Sequence, residues 1–427
     1  MGESHLERET FVDASKAGRK GMFSLCMISP PLSPPPALPP LPHNFVLDGL
    51  RAVAVMGVLL HHFGLHLPSF LEYGPLSVRF FFALSGYFLM KWAWRPTSVS
   101  LGSRLREYHA RRAARLIPPL YLSLAFLFIL SSLGGWGGGG LLEMGWHAAF
   151  LTNFYVVREG VWPPVFSHLW SLSVQEQFYV LASFLVLVVP RPYFLRLLVG
   201  GLLLGVGFRV FALQAQWSDY VRWLMLPGVM DSFCVGGLAA WVESESKSES
   251  ESKSESKSGT KGLRTFLLKM REKWELFGFV ALFCFLMGRW LRVIEAGTSC
   301  VGDAGSFWRD MRTASIEVWE GIFLFWVIMG SVWGWQRGAL WVQRVLSHPY
   351  MVHVGRVSFG IYIYHIVVFM TFVPILDAVG LTESNANFLR VFILVGITLG
   401  LASLSWRYLE GPLLGSNTPH KKKGTLF

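Results

Sequence analysis

The stretch LDGLRAVAVMGVLLHHF, residues 47–63, is an apolar run with Asp48 and Arg51 at one end and His61 and His62 at the other. Read as a helix at 100° per residue, the step from Arg51 to His62 leaves a net turn of about 20° and a rise of about 16.5 Å. Arg51 and His62 therefore share a face, His61 falls about 80° away, and Asp48 has the i,i+3 spacing of an ion pair with Arg51. An ionisable group inside a bilayer costs about 2.5–3.5 kcal/mol on insertion scales. A stripe of three on one face predicts an internal polar passage from the cytosolic surface to mid-membrane. A buried imidazole that merely bonds a neighbouring helix is the simpler alternative.

The rest of the chain reads as more of the same solvent. Of 427 residues, 52% are hydrophobic and only 15% charged, and the mean hydropathy is +0.44. Apolar segments near the 20 residues needed to span a bilayer recur throughout. They predict an all-α, polytopic transmembrane helical bundle of about ten spans, at 45–66, 77–94, 116–134, 168–189, 193–214, 223–242, 273–291, 316–335, 354–376 and 387–408. Residues 142–157 are too short and interrupted to cross and are expected to be re-entrant or interfacial. Lys91, Arg95, the arginines from Arg104 to Arg115, Arg191, Arg196, the basic residues from Lys247 to Lys273 and Lys421 to Lys423 all fall on one side. That places both termini in the cytosol by the positive-inside rule. The net charge of +11 is thus a topology signal, with no nucleic-acid partner implied and membrane lipid as the immediate surroundings.

Three segments stand apart from the expected membrane domain at 44–412. Residues 1–43 contain PPLSPPPALPPLP and are expected to be disordered; residues 243–263 alternate Ser, Glu and Lys and are expected to be a disordered cytosolic loop; residues 413–427 form a basic cytosolic tail. Cys26, Cys234, Cys284 and Cys300 offer no disulfide framework. His62 and His66 have an i,i+4 metal spacing but lack a third ligand cluster, so no metal is expected.

Ionisable groups recur in the other spans: Arg79, Glu176, Arg209, Asp231, Glu317, Glu320 and His365. In VRFFFALSGYFLM, Ser85 and Gly86 interrupt an aromatic run. In YHARRAARLIPPLY, Arg111, Arg112 and Arg115 precede two prolines and serve either as topology anchors or as a fork for phosphates. SHLWSLSVQEQFYVL gathers His168, Trp170, Gln175, Glu176 and Tyr179 at one membrane entry, and VGRVSFGIYIYHIVV places Tyr362 and His365 at another.

Taken in order, these segments resemble the acyltransferase 3 family of integral membrane O-acyltransferases, which includes polysaccharide and O-antigen O-acetyltransferases. The family opens with an Arg, ten residues and a His, matched here by Arg51 and His62. FFFALSGYFL, ARRAARLIPPLYL, HLWSLSVQEQFYVL, SFGIYIYHIVV and SWRYLEGPLL are similar to its later motifs. Two positions depart: Gln175 stands for the first Glu of a paired EE, and Arg79 stands where an acidic residue is common. The resemblance implies transfer of an acyl group, usually acetyl, from acetyl-CoA or another acyl-CoA to a hydroxyl of a glycan or lipid-linked sugar, at the plasma (inner) membrane in a bacterium. It implies catalytic roles for His62, Arg51 and Glu176, donor binding by Arg112, Arg115 and Ser85, and a pocket formed by Asp48, His168, Trp170, Tyr179 and His365. The competing reading is a proton-coupled secondary transporter or flippase that uses the buried histidines and carboxylates as a relay.

Overall fold

The computed structural model describes residues 44–64, 73–95, 99–134, 141–251, 273–298, 306–333 and 340–414. The Pro-rich segment 1–43, residues 252–263 of the expected loop and nearly all of the basic tail lie outside the described residues. The described chain is helical, with no strand: α1 Phe45–His62, α2 Tyr73–Ala93, α3 Leu101–Gly134, α4 Leu141–Ala148, α5 Thr152–Glu159, α6 Leu169–Val188, α7 Phe194–Gln214, α8 Asp219–Leu224, α9 Leu226–Glu251, α10 Trp274–Thr298, α11 Ser306–Trp333, α12 Leu340–Leu346, α13 Pro349–Arg356, α14 Ser358–Ala378 and α15 Glu383–Ser405. A π-helical turn, Trp406–Glu410, leads to a short α16, Gly411–Leu413.

Eight helical segments among the described residues are long and apolar enough to cross a membrane, which makes this a polytopic helical membrane protein. The two other expected spans, 77–94 and 273–291, are helical as α2 and α10 but do not meet the same length and composition. In α2 the reason is visible: it carries Arg79 and Lys91 and is largely enclosed by its neighbours. Residues 142–157 form α4 and α5, two short helices of eight residues each, joined by a turn.

Two boundaries differ from expectation. The third span was expected to begin at residue 116, with the arginines outside it. Instead α3 runs unbroken for 34 residues through Pro118 and Pro119. A proline removes the amide that would bond four residues back, but the helix continues and carries Arg112 and Arg115 on its inward face. At the other boundary, α9 continues to Glu251, into the stretch expected as a disordered loop. The anchor is Glu243, buried and gripped by Lys91 Nζ at 3.0 Å and Tyr87 Oη at 2.6 Å.

Two devices hold the bundle. The first is glycine at helix crossings. A Cβ on Gly86 would lie 1.9 Å from the Phe233 carbonyl, and one on Gly236 1.6 Å from that of Ala83, so α2 and α9 meet backbone to backbone. At the start of α1, a Cβ on Gly49 would lie 2.0 Å from the Leu346 carbonyl, and one on Gly355 1.9 Å from that of Asp48. This seats the first turn of α1 against α12 and α13. The second device answers what Arg79 does. It reaches Glu317 at 3.4 Å and Glu320 at 3.5 Å on α11. Arg209 pairs with Asp231 at 2.8 Å and Glu317 at 3.3 Å, and Arg289 with Glu320 at 3.0 Å. Three cations and three anions, all buried, thus join α2, α7, α9, α10 and α11.

Candidate functional site

The site begins at the ends of α1. Asn44 caps the helix, its side-chain oxygen accepting from the amides of Val46 at 3.0 Å and Leu47 at 3.3 Å. The helix stops at His62, and the chain turns at Gly64 with φ +79°. His62 is therefore the last residue of α1, about 16.5 Å along the axis from Arg51, and the helix stops short of the span expected to run to residue 66.

The two histidines part company as their spacing predicts. His61 is exposed, and its ring packs against Tyr73 at 5.7 Å between centroids. The half-buried His62 turns to α14, where its ring meets that of His365 edge-on at 4.8 Å. His365 in turn meets His168, at the entry to α6, at 5.1 Å. His62 Nδ1 lies 2.9 Å from the Val58 carbonyl and His365 Nδ1 2.6 Å from that of Tyr362. A carbonyl only accepts, so in both rings Nδ1 carries the proton, which makes Nε2 the bare nitrogen of the neutral imidazole. Both His168 nitrogens and His365 Nε2 are buried with no hydrogen-bond partner among the described residues.

Tyr362 ties this cluster together. Its hydroxyl donates to the His168 carbonyl and sits 2.7 Å from Ser171 Oγ, while its own carbonyl orients His365. Behind His168 lies His147 on α4, whose Nδ1 is 3.0 Å from Thr152 Oγ1. Burial pulls the His147 imidazole down to about 4.

The Arg51 end is built from four helices. Asp48 is buried, 3.7 Å from Arg51 and 3.9 Å from Arg356. Arg115 donates to the Arg356 carbonyl at 3.0 Å and lies over Trp406. Arg112 grips Glu176 through both Nε, at 2.9 Å, and Nη2, with its guanidinium 3.5 Å from the centroid of the Tyr179 ring. A small cavity lined by His109, Arg112, Leu116, Ile117, Phe150 and Glu176 adjoins this pair.

The structure thus brings Asp48, Arg51, Arg112, Arg115, Glu176 and Tyr179 to one end, and His62, His168 and His365 to the other. Two named residues are occupied elsewhere. Ser85 Oγ donates to the Phe81 carbonyl at 2.8 Å and takes the amide of Gln175, and Trp170 packs edge-on against Phe82. Arg356 opens the segment already expected to line a membrane entry, whereas Tyr108, 6.0 Å from Tyr179 ring to ring, and Trp406 were not expected as site neighbours. Tyr108 had a signal, since it precedes Arg112 by one helical turn; Trp406 meets Arg115 only through the fold. The carboxylates that a proton relay would need, Glu176 and Asp231, are both clasped by arginine. Among the described residues no cluster of His, Cys, Asp and Glu is arranged to hold a metal.

Comparison with known proteins points one way. A profile of the acyltransferase domain family matches residues 44–407. A peptidoglycan O-acetyltransferase of Listeria monocytogenes is 24% identical over 385 residues, covering 86% of this chain and 55% of that protein. A putative O-acetyltransferase of Staphylococcus aureus is 23% identical over 88% of this chain and 57% of its own length. A putative peptidoglycan O-acetyltransferase of Bacillus subtilis is 30% identical over 151 residues, 33% of this chain and 23% of that protein. The chain therefore spans just over half the length of the first two of these relatives. No solved structure matches it significantly.

Proposed function

From the premise that this chain belongs to the acyltransferase 3 family, we propose that it is a membrane O-acetyltransferase that moves an acetyl group from acyl-CoA to a hydroxyl of a cell-envelope glycan. The observation that carries this reading is His62: its Nδ1–H is spent on the Val58 carbonyl, and its Nε2 is bare in a half-buried site. That is the tautomer a general base or an acyl-accepting nucleophile needs.

The arginine end is the donor end. Coenzyme A brings several phosphate charges, which guanidinium forks bind well. Arg112 already serves Glu176, so Arg51 and Arg115 are the better phosphate ligands, and Arg112 with Glu176 forms a fixed wall beside them. Among the described residues Arg51 is paired with Asp48 at 3.7 Å, and one phosphate oxygen improves on that. The donor reaches the arginines from the cytosol and the glycan meets His62 at the other end, in the plasma membrane of a bacterium. Membrane lipid surrounds the bundle. The peptidoglycan named for two relatives makes a hexose hydroxyl of that polymer the first acceptor to test.

The test supplies acetyl-CoA to membranes containing the protein and follows free thiol and acetyl ester together. The wild type and His61→Ala release CoA and form ester; His62→Ala loses about 10²- to 10⁴-fold, the span of a general acid–base group. Unchanged envelope esters after loss of the gene, together with full activity in a well-folded His62→Ala protein, would overturn the reading.

A further inference from the structure

We infer that His365 is a second catalytic base, acting on the acceptor hydroxyl while His62 carries the acetyl group on its Nε2. The inference rests on the acetyl-transfer reading above and assigns the two halves of that reaction to different imidazoles.

In the first half, His62 Nε2 forms a bond to the thioester carbonyl carbon, the C–S bond breaks and the thiolate leaves with its electron pair. His62 is then an N-acetylimidazolium, with Nδ1–H still on the Val58 carbonyl. In this state the ring has no lone pair left: one nitrogen is acylated and the other is protonated and held. Attack by a hydroxyl requires a separate base. Among the described residues two imidazoles border the His62 ring. His61 is exposed and turned to Tyr73, whereas His365 is fully buried, 4.8 Å away ring to ring, with Nε2 bare. In the second half the acceptor oxygen bonds to the acetyl carbon, the N–C bond breaks back to Nε2 of His62, and the hydroxyl proton passes to Nε2 of His365. That proton then neutralises the thiolate, which restores both rings and gives the free CoA thiol.

The setting of His365 fits this task. The 2.6 Å contact with the Tyr362 carbonyl locks the ring in one tautomer. Among the described residues no side chain, carboxylates included, is hydrogen-bonded to Nε2. His168, 5.1 Å behind it, supplies a second uncharged ring in the same dry pocket. Tyr362 is the positioning residue, because one side chain and its own carbonyl fix both His168 and His365.

The decisive variant is His365→Asn, whose amide nitrogen can replace Nδ1–H toward Tyr362 while deleting Nε2. Membrane vesicles that retain their native envelope acceptors receive radiolabelled acetyl-CoA. Free thiol, label on the protein and label on the envelope fraction are followed together. Wild type turns over with little label on protein. In His365→Asn one equivalent of thiol is released per protein, label accumulates on the His62 peptide and passage to the envelope falls at least a hundredfold. His365→Gln, which keeps a polar atom near the Nε2 position but accepts no proton in this range, gives the same pattern if the Asn variant fails to fold. A folded variant that loses thiol release as completely as transfer, or that turns over normally, overturns the second-base role while leaving the acetyltransferase reading intact. No thiol release by wild type overturns that reading itself.

Discussion

Two buried polar regions of this molecule follow opposite rules. In the network of α2, α7, α9, α10 and α11, every charge is met by its opposite, three against three. In the pocket of His62, His168 and His365, both nitrogens of His168 and Nε2 of His365 are buried with no hydrogen-bond partner among the described residues. Low dielectric makes both expensive when incomplete. The first region balances its charges within the protein and acts as a fastener. The second is completed only when something else enters, as a reaction site requires.

Substitutions should therefore act with opposite sign in the two regions. The largest effect is expected from Arg209→Met, which leaves Asp231 without its cation and costs about 3–5 kcal/mol. The variant should yield little folded protein by size exclusion in detergent, and adding Asp231→Asn, which restores a balance of two against two, should recover part of the yield. His168→Phe should do the reverse. Removing a buried ring with two unpartnered nitrogens leaves the stability unchanged or raises it by up to about 1–2 kcal/mol, read as an unchanged or higher thermal midpoint, while acetyl transfer falls at least tenfold. A destabilised His168→Phe protein would break the comparison. Tyr362→Phe, which deletes one hydroxyl shared between the His168 carbonyl and Ser171, should cost about 0.5–1.5 kcal/mol and lower kcat more than it raises KM for acetyl-CoA.

The smallest expected effect concerns His147. Its folded pKa of about 4 lies below the unfolded value of about 6.5, so between these the unfolded chain binds more protons and stability rises with pH. The contribution is present above about pH 6.5 and is lost as pH falls toward 4. Thermal midpoints of His147→Gln should fall less over that window than those of wild type; equal slopes would refute the assignment.

The bundle was legible in residues 47–63 and its sister segments because hydropathy is a local signal, and the face shared by Arg51 and His62 follows from helical geometry alone. What escaped was long-range. Nothing near Arg79 announces Glu317 and Glu320, and the role of Arg79 emerges only where α11 packs against α2. The same holds for Arg112, whose spacing suited a phosphate fork until Glu176 from α6 was found filling it. Pro118 and Pro119 marked a helix start by local rules, yet packing carries α3 through both. Ser85 and Trp170 sat in motifs with chemistry, but Ser85 bonds its own helix and Gln175 of α6, and Trp170 packs on Phe82 of α2.

The glycine seat at the start of α1 has a mechanical consequence. With Gly49 and Gly355 pressed onto opposing carbonyls, that end of the rod is a fulcrum, and His62 rides about 20 Å along it. A tilt of about 3° at the seat sweeps the imidazole through about 1 Å, a misplacement that can slow a reaction about a hundredfold. Small changes in α12 or α13, touching neither substrate nor histidine, can in this way act as catalytic lesions.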